Sequence, residues 1–354
     1  MNHYEAISYN ALNIFTGSDY KELEKLFGQY RSWTNGWKNT GKKTAKIDPE
    51  KEWKKLEEKG INLILKDDPA YPASLKETPW TPLGIYYKGA LTDGAEPRTA
   101  TSCMRGEPRV AIVGTRKASL RGREIAKNFA QSLNNYGINV VSGLAMGIDE
   151  AAHRGVVEAG GKTIAVLATG LDTVYPRQNA NLAKKILDLG GALISEYPIE
   201  QPSYPSNFVH RNRIISGLCA GTIVIEAPEE SGALTTANFA LEQNREVFVV
   251  PGPINDPNYV GSNKLIKAGA ALITSIDDVL DNLNIAVNKD TRVKNENLNE
   301  EEKSILNIIK EAGEPIRVDK ISELSKLETY VVNRLLSFLV IKGIIKESGG
   351  KYFL

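Results

Sequence analysis

The chain is 354 residues long, enough for two or three domains, and its 42% hydrophobic and 25% charged residues are ordinary for a soluble globular protein. A formal net charge of +1 excludes a global field as the means of holding a polyanion, so any nucleic-acid site must be a local basic patch. No apolar run reaches the roughly 18 residues of a membrane span, Met1–Glu5 lacks the basic and apolar regions of a signal peptide, and Cys103 and Cys219 have no partner spacing; the expectation is a cytoplasmic protein with no membrane contact and no structural disulfide.

In chain order, residues 1–60 read as a helical N-terminal region rich in Lys, Glu and Trp. Leu23, Leu26 and Phe27 make a small apolar face that Gly28 is expected to end, and Trp53 with Leu56 begins another before Gly60. Thr34–Lys46 is polar and basic and reads as a loop. Ile61–Leu65 and Leu83–Tyr87 are strand-like, and Leu91–Pro108 lacks periodicity and reads as an exposed loop.

From Arg109 onward strand and helix alternate. Strands are expected at Arg109–Gly114, Ile138–Ser142, Lys162–Ala168, Ala192–Ser195, Gly221–Glu226, Glu246–Val250 and Ala270–Thr274. Helical patterns fall at Arg121–Tyr136, Ile148–Ala159, Asn179–Asp188, Gly232–Gln243 and Gly261–Ala268. Near-continuous apolar strands joined by helices predict an α/β fold: an extended Rossmann-like, doubly wound, mostly parallel sheet over residues 61–284. Residues 285–298 have the composition of a linker. Residues 299–354 then read as helix, helix, helix and hairpin, the winged-helix pattern, with Asn299 and Glu302 as a capping box.

The chemistry concentrates at strand ends. Gly114-Thr115-Arg116-Lys117 follows the first central strand and places two cations and a hydroxyl at a helix start, where the dipole favours anions. Gly170–Arg177 is a second loop of this kind, carrying Tyr175 and Arg177. Arg211, Asn212 and Arg213 begin another helix and offer bidentate phosphate contacts. The two arginines are two residues apart and cannot face one way on a helix, so one phosphate-binding and one structural role are expected. Ser231, Gly232 and Thr235 open a helix directly after a strand and form a phosphate pocket. Asp149 and His153, one helical turn apart, match metal-ligand spacing but lack further ligands, so a hydrogen bond between them is expected instead. Glu196 and Glu226 end strands and are read as holding loops through Arg pairs in preference to acid/base work on a glycosidic bond. No metal, cofactor or catalytic group is expected. Neither loop carries the G-x-G-x-x-G of a dinucleotide site or the G-x-x-x-x-G-K-[ST] of a P-loop.

Together these blocks resemble the DNA-processing protein A family (DprA, also called Smf). The matching segments are Val110–Arg116, Ser142–His153, Gly170–Arg177, Leu193–Glu196, Arg211–Ile215, Ser231–Thr236 and Val250–Gly252, with Asp68–Pro72 and Tyr87–Gly89 leading in. The chain has Gly-Thr-Arg where that family usually has Gly-Ser-Arg, and Arg177 where it often has Lys. Leu91–Pro108 is longer than the family's usual connection, and the first 45 residues match loosely, around Leu26-Phe-Gly28. The resemblance implies a non-enzymatic, homodimeric protein that binds single-stranded DNA and loads the RecA recombinase onto it during natural transformation.

The residues support the strand-binding part independently, since single strands are held by cations tracking phosphates and by aromatic faces under bases. Arg116, Lys117, Arg177, Arg211 and Arg213 supply the cations, and Tyr175 or Phe208 the faces. One rival is a nucleoside monophosphate phosphoribohydrolase, whose phosphate turn reads Pro-Gly-Gly-x-Gly-Thr-x-x-Glu; alignment on Thr235 puts Asn238 at the catalytic glutamate. Another is a duplex-binding winged-helix regulator, which nine basic against nine acidic residues from 299 onward disfavour.

Overall fold

Alternation of short apolar runs with amphipathic segments builds the first of two compact units, Met1–Asn288; the second is Lys289–Leu354. The computed structural model describes residues 3–40, 46–91, 108–202, 204–285, 300–341 and 344–353. The expected linker beyond residue 285, most of the Leu91–Pro108 loop, Cys103 and the Asn299 end of the capping box lie outside the described residues. Among the described residues no helix is long and apolar enough to cross a membrane.

Four helices come first: α1 (His3–Phe15), α2 (Tyr20–Tyr30), α3 (Trp33–Thr40) and α4 (Pro49–Glu58). Two expectations fail here. Helix α2 continues through Gly28 and stops at Arg31, which takes the left-handed conformation (φ 53°). The first part of the expected Thr34–Lys46 loop is helix α3. Its start is capped from a distance: the Glu5 carboxylate on α1 accepts from Ser32 Oγ and from the Trp33 and Thr34 amides. Burial works against the Glu5 charge, but these donors outweigh it and hold the carboxyl below its usual range.

A nine-stranded sheet follows. Its elements are β1 (Asn62–Leu65), α5 (Ala73–Lys76), β2 (Gly84–Gly89), β3 (Arg109–Val113), α6 (Leu120–Asn135), β4 (Asn139–Ser142), α7 (Ile148–Glu158) and β5 (Thr163–Leu167). They continue with α8 (Ala180–Asp188), β6 (Ala192–Ser195), α9 (Pro205–Gly217), β7 (Gly221–Val224), α10 (Gly232–Glu242), β8 (Glu246–Val249), α11 (Val260–Lys267), β9 (Ala271–Leu272) and α12 (Ile276–Asn282). The spatial order is β1-β2-β6-β5-β4-β3-β7-β8-β9. The seven strands from β6 to β9 run parallel, while β2 joins β6 antiparallel with Tyr86 opposite Ser195 and Tyr87 opposite Ile194. This is an extended Rossmann-like sheet covered on both faces. One face packs under α9 and α10, through Val113, Val224, Ile214 and Ala237 among others. The other packs under α6 and α7 through Ile112, Ala126 and Ala152, and under α1–α4 and α8 through Leu12, Leu56, Leu167 and Ile186.

The second unit contains α13 (Glu300–Ala312), β10 (Ile316–Arg317), α14 (Val318–Ser325), α15 (Thr329–Ile341), β11 (Lys346–Ser348) and β12 (Lys351–Phe353). Its antiparallel sheet has the order β10-β12-β11. Ile305, Leu306 and Ile309 of α13 pack with Val332, Leu335, Leu336 and Leu339 of α15. Strand β10 is two residues long and has no periodicity by which sequence alone would reveal it.

Candidate functional site

Strands β4 to β6 fan out on one side of β3, and β7 to β9 on the other. The crevice at the carboxyl ends of β3 and β7 is therefore the topological switch point, where α/β sheets bind ligands. An open cleft of about 440 Å³ lies there. It is lined from β3 by Gly114, Thr115, Arg116 and Lys117, from α9 by Phe208, Arg211 and Asn212, and from α10 by Ser231, Gly232 and Thr236. Three of the sequence-predicted clusters, from separate parts of the chain, thus meet.

The β3 loop is built to hold its shape. The Thr115 amide donates to Glu226 O at 2.7 Å, and the Lys117 amide to Thr115 Oγ1 at 3.2 Å. Gly147, at the start of α7, has φ 85°, and a Cβ there would lie 2.3 Å from Thr115 O, so only glycine lets the two loops touch. Arg116 and Lys117 remain exposed.

Glu226 is fully buried, and its carboxylate accepts from the Ser119 amide at 2.9 Å, from Ser119 Oγ, and from Asn258 Nδ2 at 3.2 Å. It plugs the N-terminus of α6, where a Cβ on Gly122 would lie 2.4 Å from its carboxyl carbon. Tyr259 also bonds to Glu226, and burial together with that carboxylate pushes its phenol up to about 12. The loop-holding role expected for Glu226 is what the geometry displays, with Ser119 and Asn258 in place of an arginine.

Helix α9 separates its two arginines. Arg211 Nη1 donates to Gly143 O at 2.8 Å and to Val166 O, and its Nε donates to Asn212 Oδ1 at 3.2 Å. Burial lowers its pKa to about 10 against the opposing charge of Asp149, so it stays cationic at neutral pH while lining the cleft. Asn212 Nδ2 in turn donates to Gly232 O at 3.3 Å, tying α9 to the start of α10. Arg213 is absent from the cleft wall, which corrects its placement with the DNA-binding cations. It points to Glu196, with Nη2 at 2.7 and 2.6 Å from the two carboxylate oxygens. Burial opposes its charge, but Glu196 prevails and raises its pKa. The cause is helical geometry, since residues two apart project about 200° apart. For the same reason Thr235 does not line the cleft, whereas Thr236 shares a face with Gly232 and Ala233 and does.

Arg177 also lies outside the cleft wall, exposed at the start of a short 3-10 turn. Its loop nonetheless reaches the site through aromatic rings. Tyr175 meets Phe208 edge-on at 5.4 Å, and the Arg116 guanidinium lies 5.2 Å from the Phe208 ring centre. The expected Asp149–His153 bond does not form. Asp149 Oδ2 accepts from the Gly143 amide at 3.1 Å, and His153 Nδ1 contacts Thr163 Oγ1 at 2.9 Å. Burial holds the His153 imidazole down to about 3 and raises the Asp149 carboxyl. Sequence reasoning missed Asp149 as a cleft residue and Asn258 as a loop clamp. No local pattern marks either, because their partners lie on other elements.

A doubly wound sheet with a cation-rimmed cleft at its switch point and no dinucleotide fingerprint defines the class as extended Rossmann-like. The match to the model of DNA recombination-mediator protein A, over residues 62–284, makes the chain a member of that family. Protein Smf of Escherichia coli is 43% identical over 228 residues, covering 64% of this chain and 58% of that protein. The DNA processing protein DprA of Streptococcus pneumoniae is 43% identical over 217 residues, 60% of this chain and 71% of that one. The chain spans only 58% and 63% of the length of the Smf proteins of E. coli and Synechocystis. In three dimensions it is similar to the X-ray structure of S. pneumoniae DprA, with TM-score 0.62 and 34% identity over 79% of this chain and 98% of that one. It is also similar to DNA processing protein A of Helicobacter pylori, described for its single-stranded DNA binding mode, with TM-score 0.55 and 25% identity over 64% and 97% of the two chains.

Proposed function

We propose that this protein binds single-stranded DNA in the β3/β7 cleft, without catalysis, and presents it to the RecA recombinase during DNA uptake and recombination. The observation that carries the reading is the Arg116–Phe208–Tyr175 array: a cation and two aromatic rings at the mouth of a cleft whose floor is a helix N-terminus. Such a surface suits a flexible strand, with phosphates on Arg116, Lys117, Arg177 and the Ser231–Gly232 turn, and a base on an aromatic face. Arg211 and Asn212 line the wall and orient it. The single-stranded DNA binding of the H. pylori relative supports the substrate class, and the family's description as a recombination mediator supports the hand-over. Asn238, at the position a phosphoribohydrolase would give to its catalytic glutamate, supports the absence of hydrolysis. A homodimer in the cytoplasm belongs to the same reading. The C-terminal unit, with its helix–strand–helix–helix–hairpin order, we read as a winged helix used for protein contact. Tyr330 and Phe338, exposed two turns apart on α15, favour that use over duplex binding.

The test is binding of labelled oligonucleotides to wild type and to an Arg116→Ala, Arg177→Ala variant across a salt series. The wild type is expected to prefer single strands, and the variant to bind more weakly with a shallower salt slope, by about 0.7 for each phosphate it no longer neutralises. Equal affinity of the two proteins would overturn the site, and release of free base from nucleoside monophosphates would overturn the non-catalytic reading.

A further inference from the structure

The cleft suits anions, yet its wall also carries a buried acid. Asp149 lines it from the first turn of α7, alongside Arg211 of α9. Both side chains are nearly enclosed, Asp149 being 7% and Arg211 4% exposed. They converge on one point of the β4–α7 turn: a Cβ on Gly143 would lie 2.6 Å from Arg211 Nη2 and 2.7 Å from Asp149 Oδ2. The glycine leaves the two charges facing each other with nothing between them. On α9 it is Arg213 that closes an ion pair, with Glu196, whereas Arg211 and Asp149 attract without closing one.

The two partners are unequally committed. Asp149 accepts from the Gly143 amide at 3.1 Å and from the Ala145 amide, so its carboxylate is pinned to the turn. Arg211 spends Nε on Asn212 Oδ1 and Nη1 on the Gly143 and Val166 carbonyls. Its Nη2 has no hydrogen-bond acceptor among the described residues. A nearly buried guanidinium with one uncommitted nitrogen in a cleft wall is a seat for a phosphate oxygen. The charge of Arg116 also bears unfavourably on Arg211, and an anion between the two arginines relieves that repulsion. Burial opposes the charge of both Asp149 and Arg211, and each favours the ionised form of the other.

We propose that Asp149 is a counter-charge that competes with a strand phosphate for the Arg211 guanidinium, and so sets how readily the cleft releases a strand. The proposal rests on the reading of the cleft as a single-strand site and adds to it a residue that opposes binding. In the empty cleft Asp149 compensates a buried cation that would otherwise stand alone. When a phosphate arrives, two anions share one guanidinium, and their mutual repulsion weakens the bound state. The cost falls on residence time, the quantity that most affinity differences reside in. A strand destined for a second protein has to leave, and a pinned acid beside the gripping arginine provides for that.

The experiment measures affinity, salt slope and dissociation rate of a labelled oligothymidylate of about twelve nucleotides. The proteins are wild type, Asp149→Asn, Asp149→Ser, Arg211→Gln, the Asp149→Asn, Arg211→Gln double variant and Arg116→Ala. Asp149→Asn keeps an oxygen for the Gly143 amide, and Asp149→Ser is a second uncharged form that carries the test if the first does not fold. Either is expected to bind roughly ten-fold tighter than wild type, with the gain in slower dissociation. The salt slope should steepen by about 0.7, which a merely structural role would not produce. The double variant should show no gain over Arg211→Gln. If the uncharged variants bind as wild type or more weakly while Arg116→Ala loses affinity, the counter-charge is wrong and the cleft stands. If the gain persists without Arg211, Asp149 repels the strand directly and the competition is wrong. If Arg116→Ala binds as wild type does, the cleft reading fails first, and the proposal fails with it.

Discussion

Two helix N-termini flank the switch point, α6 after β3 and α10 after β7, and the chain treats them oppositely. Both begin with serine: Ser119 Oγ accepts from the Gly122 amide at 2.9 Å, and Ser231 Oγ from the Ala233 amide at 3.2 Å. Both dipoles favour an anion. At α6 the anion is internal, the buried Glu226 carboxylate, which spends that end on holding the basic loop in shape. At α10 the start faces the cleft, with Gly232 exposed and Glu230 at the rim. The same helix-end electrostatics thus serve as scaffold on one side and, in the proposed function, as receptor on the other. Whether an acid from another strand fills the end decides which.

The largest way to break this comparison is to unplug α6. Glu226→Ala leaves the half-buried Ser119 and Asn258 donors beside a void, and should cost about 3 kcal/mol in urea unfolding, with Glu226→Gln intermediate. Helix α7, whose start braces the basic loop, is probed by acid. Buried His153 stays neutral down to about 3 while an unfolded imidazole takes up its proton near 6.5. Its depressed value means that stability is full above pH 6.5 and falls as pH drops below it, by about 2 kcal/mol between pH 7 and 5. His153→Gln should flatten that limb, and a variant with the wild-type slope would refute the assignment. To plug the open end, Ser231→Asp keeps a good cap but installs a carboxylate. It should lower oligonucleotide affinity about ten-fold with the melting temperature unchanged. Smallest is the difference between Ser119→Ala and Ser231→Ala: the first also removes a bond to Glu226 and should destabilise by about 1 kcal/mol more.

The parallel strands are legible in the sequence because burial on both faces makes them near-continuous apolar runs, and their observed ends differ from the expected ones by two residues or fewer. The β1–β2 pair is legible as strands, but its attachment to β6 is not, since Tyr86 and Ser195 pair across a sequence gap that no local pattern encodes. In the site, Gly114–Lys117 and Ser231–Gly232 are legible from residue type and position. The turning of Arg213 toward Glu196 is visible only as a choice between two arginines, because a helix in isolation does not say which of its faces is the wet one. Helix α3 is hidden because its cap, Glu5, sits on another helix.

With one of the two helix ends filled from within, a bound phosphate finds a single open dipole and a ring of separate cations. A lone mononucleotide can use few of these points at once. A polymer can use many, since each engaged phosphate raises the effective concentration of the next. If the cleft holds a strand as proposed, Glu226 would in this way disfavour free nucleotides: an excess of nucleoside triphosphate should leave a bound oligonucleotide in place, whereas a short unlabelled strand should displace it.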